Sequence, residues 1–175
     1  MRAIFFFKKP LTLIFLILAF YNAWTLQKVN VLFSENIWLG HYVIAVDHLP
    51  LTDRDKISWF NDNKEILQNR YHILMDDFED ITIMEAVGGI KNSTSRWIDD
   101  YYCFTNITSD NRCVDKSMQM QIERDQDGTV TFYIHSAGGI YVQDTDGSVQ
   151  KSNYERYFED LDIRLNNSLD RWLFR

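Results

Sequence analysis

Apolar and polar residues alternate most regularly in the carboxyl-terminal half of the chain. In SMQMQIE (117–123), Met118, Met120 and Ile122 alternate with Gln119, Gln121 and Glu123, the period of a strand with one buried face. RDQDG turns the chain, and TVTFYIH (129–135) answers with Val130, Phe132 and Ile134 on one face. SAGG, IYVQD, TDG and SVQK then continue a turn–strand–turn–strand series, which predicts an antiparallel meander. Upstream, VNVLF (29–33) and HYVIAVDHL (41–49) are rich in strand formers and are separated by a turn-like SENIWLG. DITIME (80–85) predicts one more short strand, and residues 86–100, with Gly88-Gly89 and Asn92-Ser93-Thr94, predict a surface loop.

Two stretches carry helical spacing instead. Thr52 is a good N-cap with Asp55 three residues on, and Ile57, Phe60, Leu67 and Tyr71 follow at helical intervals. They predict a helix from near Asp53 to near Tyr71, with an irregularity at Asn61-Asp62-Asn63. Ser152 followed by Glu155 forms a capping box. Beyond it Tyr154, Phe158, Leu161, Leu165, Leu169 and Trp172 form one apolar stripe. The expected fold class is α+β, an antiparallel β-meander covered by two helices.

The first residues follow a different pattern. Arg2, Lys8 and Lys9 precede an uncharged run from Leu11 to Leu26. Sixteen helical residues rise ~24 Å against a hydrocarbon core of ~30 Å, and the flanking Lys9, Trp24 and Lys28 suit the interface. An N-terminal transmembrane helix is therefore expected. A cleaved signal peptide is the competing reading, but Tyr21 and Ile17 stand where cleavage after Ala23 or Ala19 would want a small residue. The basic residues before the run keep the amino terminus in the cytoplasm. Residues 1–28 thus form a cytoplasmic tip and anchor, and residues 29–175 an exported domain. In a bacterium this is an inner-membrane, single-pass protein whose carboxyl-terminal domain lies in the periplasm.

That location decides the chemistry of the only two cysteines, Cys103 and Cys113. In an oxidising compartment a lone pair of thiols forms a disulfide. His41, His48, His72 and His135 are scattered without ligand spacing, so neither a metal nor any other cofactor is expected.

Two passages carry a family resemblance. LPLTDRDKISWFNDNKEILQNRYHI (49–73) and YYCFTNITSDNRCVDKSMQMQIERDQDGTVTFYI (101–134) resemble the enterobacterial family catalogued as domain of unknown function 943. The resemblance runs from the amino-terminal anchor to about Val149. It implies a Gram-negative, single-span protein that faces the periplasm, and it carries over no catalytic residue.

Other candidate chemistry is thin. ERDQDGTV has acids in calcium-loop order, but Ile134 stands where the bidentate glutamate belongs. His135-Ser136 lacks a nucleophile elbow. All 25 acidic residues lie beyond Leu26 with 15 of the 18 basic ones, leaving the exported part at about −10. Such a charge disfavours nucleic acid and anionic lipid headgroups and suits a cationic protein partner. The candidate partner-binding residues are Asp76, Asp77, Glu79, Asp80, Trp97, Asp99 and Asp100. The expected function is a membrane-tethered, non-enzymatic protein-binding module, in the manner of an immunity protein that neutralises a toxin. The alternative is a structural or accessory protein of the cell envelope.

Overall fold

Strand β2 (His41–Val46) shows why the architecture has layers on both sides of its main sheet. Tyr42, Ile44 and Val46 point to one side of it and Val43 and Ala45 to the other, and all five are buried. A strand that is apolar on both faces needs cover on both. The computed structural model describes residues 8–25, 27–94, 100–136 and 138–152. Within them α1 (Lys8–Thr25) precedes β1 (Val31–Trp38) and β2; α2 (Asp53–Asp62) and α3 (Lys64–Tyr71) follow. Then come β3 (Asp80–Glu85), β4 (Lys91–Asn92), β5 (Tyr101–Cys103), β6 (Asn111–Asp115), β7 (Met118–Arg124), β8 (Val130–Ile134), β9 (Gly139–Gln143) and β10 (Val149–Ser152).

Seven strands form one sheet in the order β1-β2-β3-β7-β8-β9-β10. Strands β2 and β3 run parallel, from His41↔Asp80 to Val46↔Glu85, and every other neighbour in that sheet is antiparallel. A parallel pair requires a crossover, and α2 and α3 supply it. Thr52 starts α2 by accepting the Asp55 N–H at 3.2 Å. The helix breaks at Asn63, whose amide side chain donates to the Trp59 carbonyl at 2.8 Å. His72 ends α3 in the left-handed conformation, φ 57°.

The crossover covers one face. Ile57, Phe60 and Leu67 pack there against Tyr42, Ile44, Val46, Ile81, Ile83, Met120, Ile122 and Phe132. Phe60 is the keystone, with ring centroids of Phe132 and Phe78 at 5.8 and 6.4 Å, both edge-on.

A second sheet, β4-β6-β5, covers the other face. Its Phe104 and Val114 bury Val43, Ala45, Met84 and Ala86. Cys103 and Cys113 face one another in the β5–β6 register and are joined by a disulfide. Glu35 of β1 fastens this small sheet from below. Its buried carboxylate accepts from the Thr105 N–H at 3.0 Å, the Thr105 hydroxyl and the Tyr102 hydroxyl at 3.1 Å. Burial, with the charge and hydrogen bond of Glu35, pushes the Tyr102 hydroxyl up to about 12.

The expected fold class needs correction. The protein is mainly β, with a mixed sheet in place of a wholly antiparallel meander, and three short helices among the described residues. Among the described residues one helical layer and one small sheet cover the main sheet; the second expected helix, after Ser152, lies outside them. The transmembrane helix is also corrected, because among the described residues no helix is long and apolar enough to cross a membrane. Of its expected limits, Leu11 lies in α1 and Leu26 is outside the described residues. Lys8, Lys9 and Pro10 occupy its first turn, and Tyr21, Asn22 and Thr25 its end. Residues 13–20, the uninterrupted apolar run, rise only ~12 Å. The end of α1 serves the folded domain instead. Tyr21 donates to Asp55 at 2.6 Å, and the Trp24 indole donates to the Leu49 carbonyl at 3.3 Å with its ring edge-on to His48.

Replacing Cys103 and Cys113 together by serine is expected to lower the unfolding free energy by about 2–3 kcal/mol, through the freed loop of the unfolded chain. Urea unfolding of the purified protein followed by circular dichroism measures this. A second expectation concerns Tyr102. Its folded-state value is about 12 against 10.0 for an ordinary tyrosine, so its contribution to stability is intact below about pH 10 and is lost as the pH rises through 12. Ultraviolet titration should show Tyr102 ionising late, with Tyr141 also raised, and Tyr102→Phe should remove the step near pH 12.

Candidate functional site

Between α3 and β3 the chain alternates between anchoring and display. Ile73, Met75 and Phe78 are buried, while Leu74, Asp76, Asp77 and Glu79 are exposed. The turn is held from beneath by cations. Arg124 donates to the Met75 carbonyl at 2.7 Å, and its guanidinium lies 5.9 Å from the Phe78 ring. Lys64 lies 5.6 Å from the Phe60 ring. Burial lowers the Lys64 pKa, Arg124 adds to that, and Asp76 works against it. Three carboxylates are therefore presented outward on a turn whose alternate residues cannot move without opening the core.

The β1–β2 hairpin is clamped to this turn. The Gly40 carbonyl accepts the N–H groups of Glu79 and Asp80 at 2.8 and 3.1 Å. His41 Nε2 lies 3.2 Å from Glu79 Oε2, and the Trp38 ring stacks on His41 at 6.0 Å. Trp38↔His41 is the closing pair of the hairpin, so Leu39-Gly40 forms a two-residue loop, with a register irregularity between Asn36 and Trp38 just before it. Gly40 has φ +76°, and an added Cβ would lie 3.1 Å from both Cγ and N of Glu79. At the tip Ile37, Trp38 and Leu39 are 58, 76 and 83% exposed. The sequence pattern marked this segment only as turn-like. Three large apolar residues beside a loop glycine, where polar residues are usual, were the signal available.

The remaining expected partner residues are placed differently. Asp80 opens β3 with its side chain on the sheet face, opposite Glu123. Its Oδ2 accepts from Thr82 at 3.4 Å, and its buried Oδ1 has no hydrogen-bond partner among the described residues. Burial raises the Glu123 pKa, Asp80 and Asp125 add to the rise, and the hydrogen bond from Tyr133 opposes it. Asp80 and Glu123 are thus a cross-strand pair, apart from the exposed acids. Asp100 is exposed but stands near the far end of β3. Its carbonyl accepts from Lys116, while Ser117 accepts from Glu85, on the order of 17 Å along the strand from Asp80. Trp97 and Asp99 lie outside the described residues.

One pairing looks like a nucleophile with its base. Buried Lys56 donates to the Ser136 Oγ at 2.5 Å. A lysine activates serine only when neutral. Burial lowers the Lys56 pKa, but Asp53 and Glu85 act to keep its proton on, and Asp53 also accepts from Tyr141 at 2.8 Å. Lys56 is thereby tied to Ser136 and set near the carboxylates of Asp53 and Glu85. Among the described residues no group of three or more histidine, cysteine or acidic side chains could hold a metal ion. A groove of about 460 Å³ between the start of β1 and α3 is lined by Lys28, Glu65, Arg70, Trp59 and Tyr71.

The family model described as "Enterobacterial putative membrane protein (DUF943)" matches residues 6–153. No curated protein and no solved structure matches the chain.

The clamp on the hairpin can be tested with two glycines. Gly40 and Gly89 both have φ near +70°, but an added Cβ at Gly89 meets nothing within 4 Å. Gly89→Ala should cost about 1–2 kcal/mol from the left-handed backbone alone. Gly40→Ala should lower the unfolding midpoint further, because it also pushes on Glu79. Thermal unfolding of the two variants side by side provides the comparison.

Proposed function

The chain belongs to the DUF943 family, and on that footing we propose a membrane-held protein whose folded domain stands in the periplasm and binds a cationic protein, as an immunity protein binds a toxin. The membrane part rests on the description of the family as a membrane protein, and the apolar surface of α1 agrees with it. Leu13, Ile14, Phe15, Leu16, Ile17, Leu18 and Phe20 are all exposed, on every side of the helix, and such a surface has its lowest free energy in lipid. The periplasmic part is supported by the Cys103–Cys113 disulfide, a bond that persists in oxidising compartments.

The observation that carries the binding function is the acidic turn. Asp76, Asp77 and Glu79 project from a segment fixed by Met75 and Phe78, on a domain of strongly negative charge. Preset charge of one sign steers an oppositely charged partner and selects it over neutral or acidic proteins. Binding is favoured over catalysis because Glu123 and Lys56, the groups whose pKa values burial shifts, are engaged within the fold. Glu123 is paired with Tyr133, and Lys56 lies near two carboxylates.

Charge reversal provides the test. Full-length protein and the variant Asp76→Lys/Asp77→Lys/Glu79→Lys are purified with their membranes, and basic proteins retained by each are quantified at low and high salt. Retention should fall about tenfold in the variant and also with salt, with circular dichroism showing that the fold is kept. Equal retention by both proteins would refute the binding function, and release of the chain by a carbonate wash would refute the membrane part.

A further inference from the structure

We propose that the hairpin tip Ile37–Trp38–Leu39 is the apolar anchor of the binding surface, and that its occupant is an apolar segment of a cationic protein flanked by Lys or Arg. The proposal rests on the protein-binding function above and names the residues and the partner chemistry for it.

Three consecutive large apolar side chains, each more than half exposed, are a standing cost to a folded domain unless something covers them. The tip is also held in one shape. A two-residue loop closes it, the Gly40 carbonyl ties it to Glu79 and Asp80, and Trp38 stacks on His41, which is itself paired with Glu79. A prearranged aromatic anchor loses little freedom on binding, which is how buried tryptophans come to dominate interfaces.

The surroundings identify the occupant. Glu79 touches the tip through His41 and Gly40, and Asp76 and Asp77 stand on the same turn, so the apolar anchor has an acidic rim. That rim repels an anionic lipid surface and equally a second copy of this chain, which would bring the same charges. It complements basic flanking residues. Lipid in contact with the apolar surface of α1 would also be an unsuitable cover. The joint of α1 with the domain, at Trp24, Leu49 and the Asn30–Asp47 bonds, adjoins the start of β1, and the tip is at its other end, ~26 Å along the strand.

The test uses the full-length chain in phosphatidylcholine nanodiscs and short fluorescent peptides with a leucine–phenylalanine centre flanked by lysines, by serines or by glutamates. The lysine-flanked peptide should bind, the glutamate-flanked one should not, and Trp38→Ser or Leu39→Ser should each weaken binding about tenfold or more. Circular dichroism of both variants checks that the fold is kept. If the serine variants bind as well as the natural chain while the Asp76/Asp77/Glu79 reversal abolishes binding, the tip is not the anchor but the acidic turn still binds. If neither set changes binding, or no peptide binds, both proposals fail. A photo-crosslinker at position 39 supplies an independent readout in whole cells. Adducts to lipid or to a second copy of the chain would overturn the proposal.

Discussion

Strand β2 has apolar side chains on both of its faces, so neither side of the sheet around it can be left to water, and most of the architecture follows from meeting that demand. On one side the chain makes the crossover through α2 and α3 and inserts Phe60 between Phe78 and Phe132. On the other side no helix is described; a three-stranded sheet, too small to hold its shape unaided, closes the layer. It is reinforced by one covalent bond across β5 and β6 and by Glu35, whose buried charge is balanced by three donors from Tyr102 and Thr105. Removing any of these donors leaves a carboxylate in the interior short of partners, which is why the small sheet and β1 behave as one body.

The candidate surface is a by-product of the same crossover. The chain has to return from the end of α3 to the start of β3, and it does so by burying Ile73, Met75 and Phe78 and turning the residues between them outward. Because β3 lies beside β2, this return passes directly under the β1–β2 hairpin, and the Gly40 carbonyl takes its backbone N–H groups. Acidic turn and apolar tip are thus brought together by topology, though ~40 residues separate them in the chain.

How much of this was legible depends on how local each interaction is. Strands β7, β8 and β9 could be read from alternation because their partners are neighbours joined by short turns. The Thr52 cap and the irregularity near Asn63 are likewise local. The parallel pairing of β2 with β3 is set by burial on both faces and leaves no period in the text. YYC and NRCVD are too short to show alternation, so β5 and β6 were invisible even though their cysteines were recognised. Asp80 adjoins Glu79 in sequence, yet the pleat begins between them and sends the two carboxylates to different surroundings. Beyond Phe20 the uncharged run contains Tyr21 and Trp24, and whether such residues meet lipid headgroups or a protein surface is decided by Asp55 and Leu49, which lie far along the chain.

That last contact has a mechanical meaning. A domain on a flexible linker explores a hemisphere of positions and meets its target at an effective concentration set by linker length. Here the hydroxyl of Tyr21 and the indole of Trp24 fasten the final turn of α1 to the domain itself, leaving little slack. The domain and the end of α1 are then one piece, and each surface of the domain keeps a fixed heading relative to the helix axis. Range of search is exchanged for orientation fixed in advance.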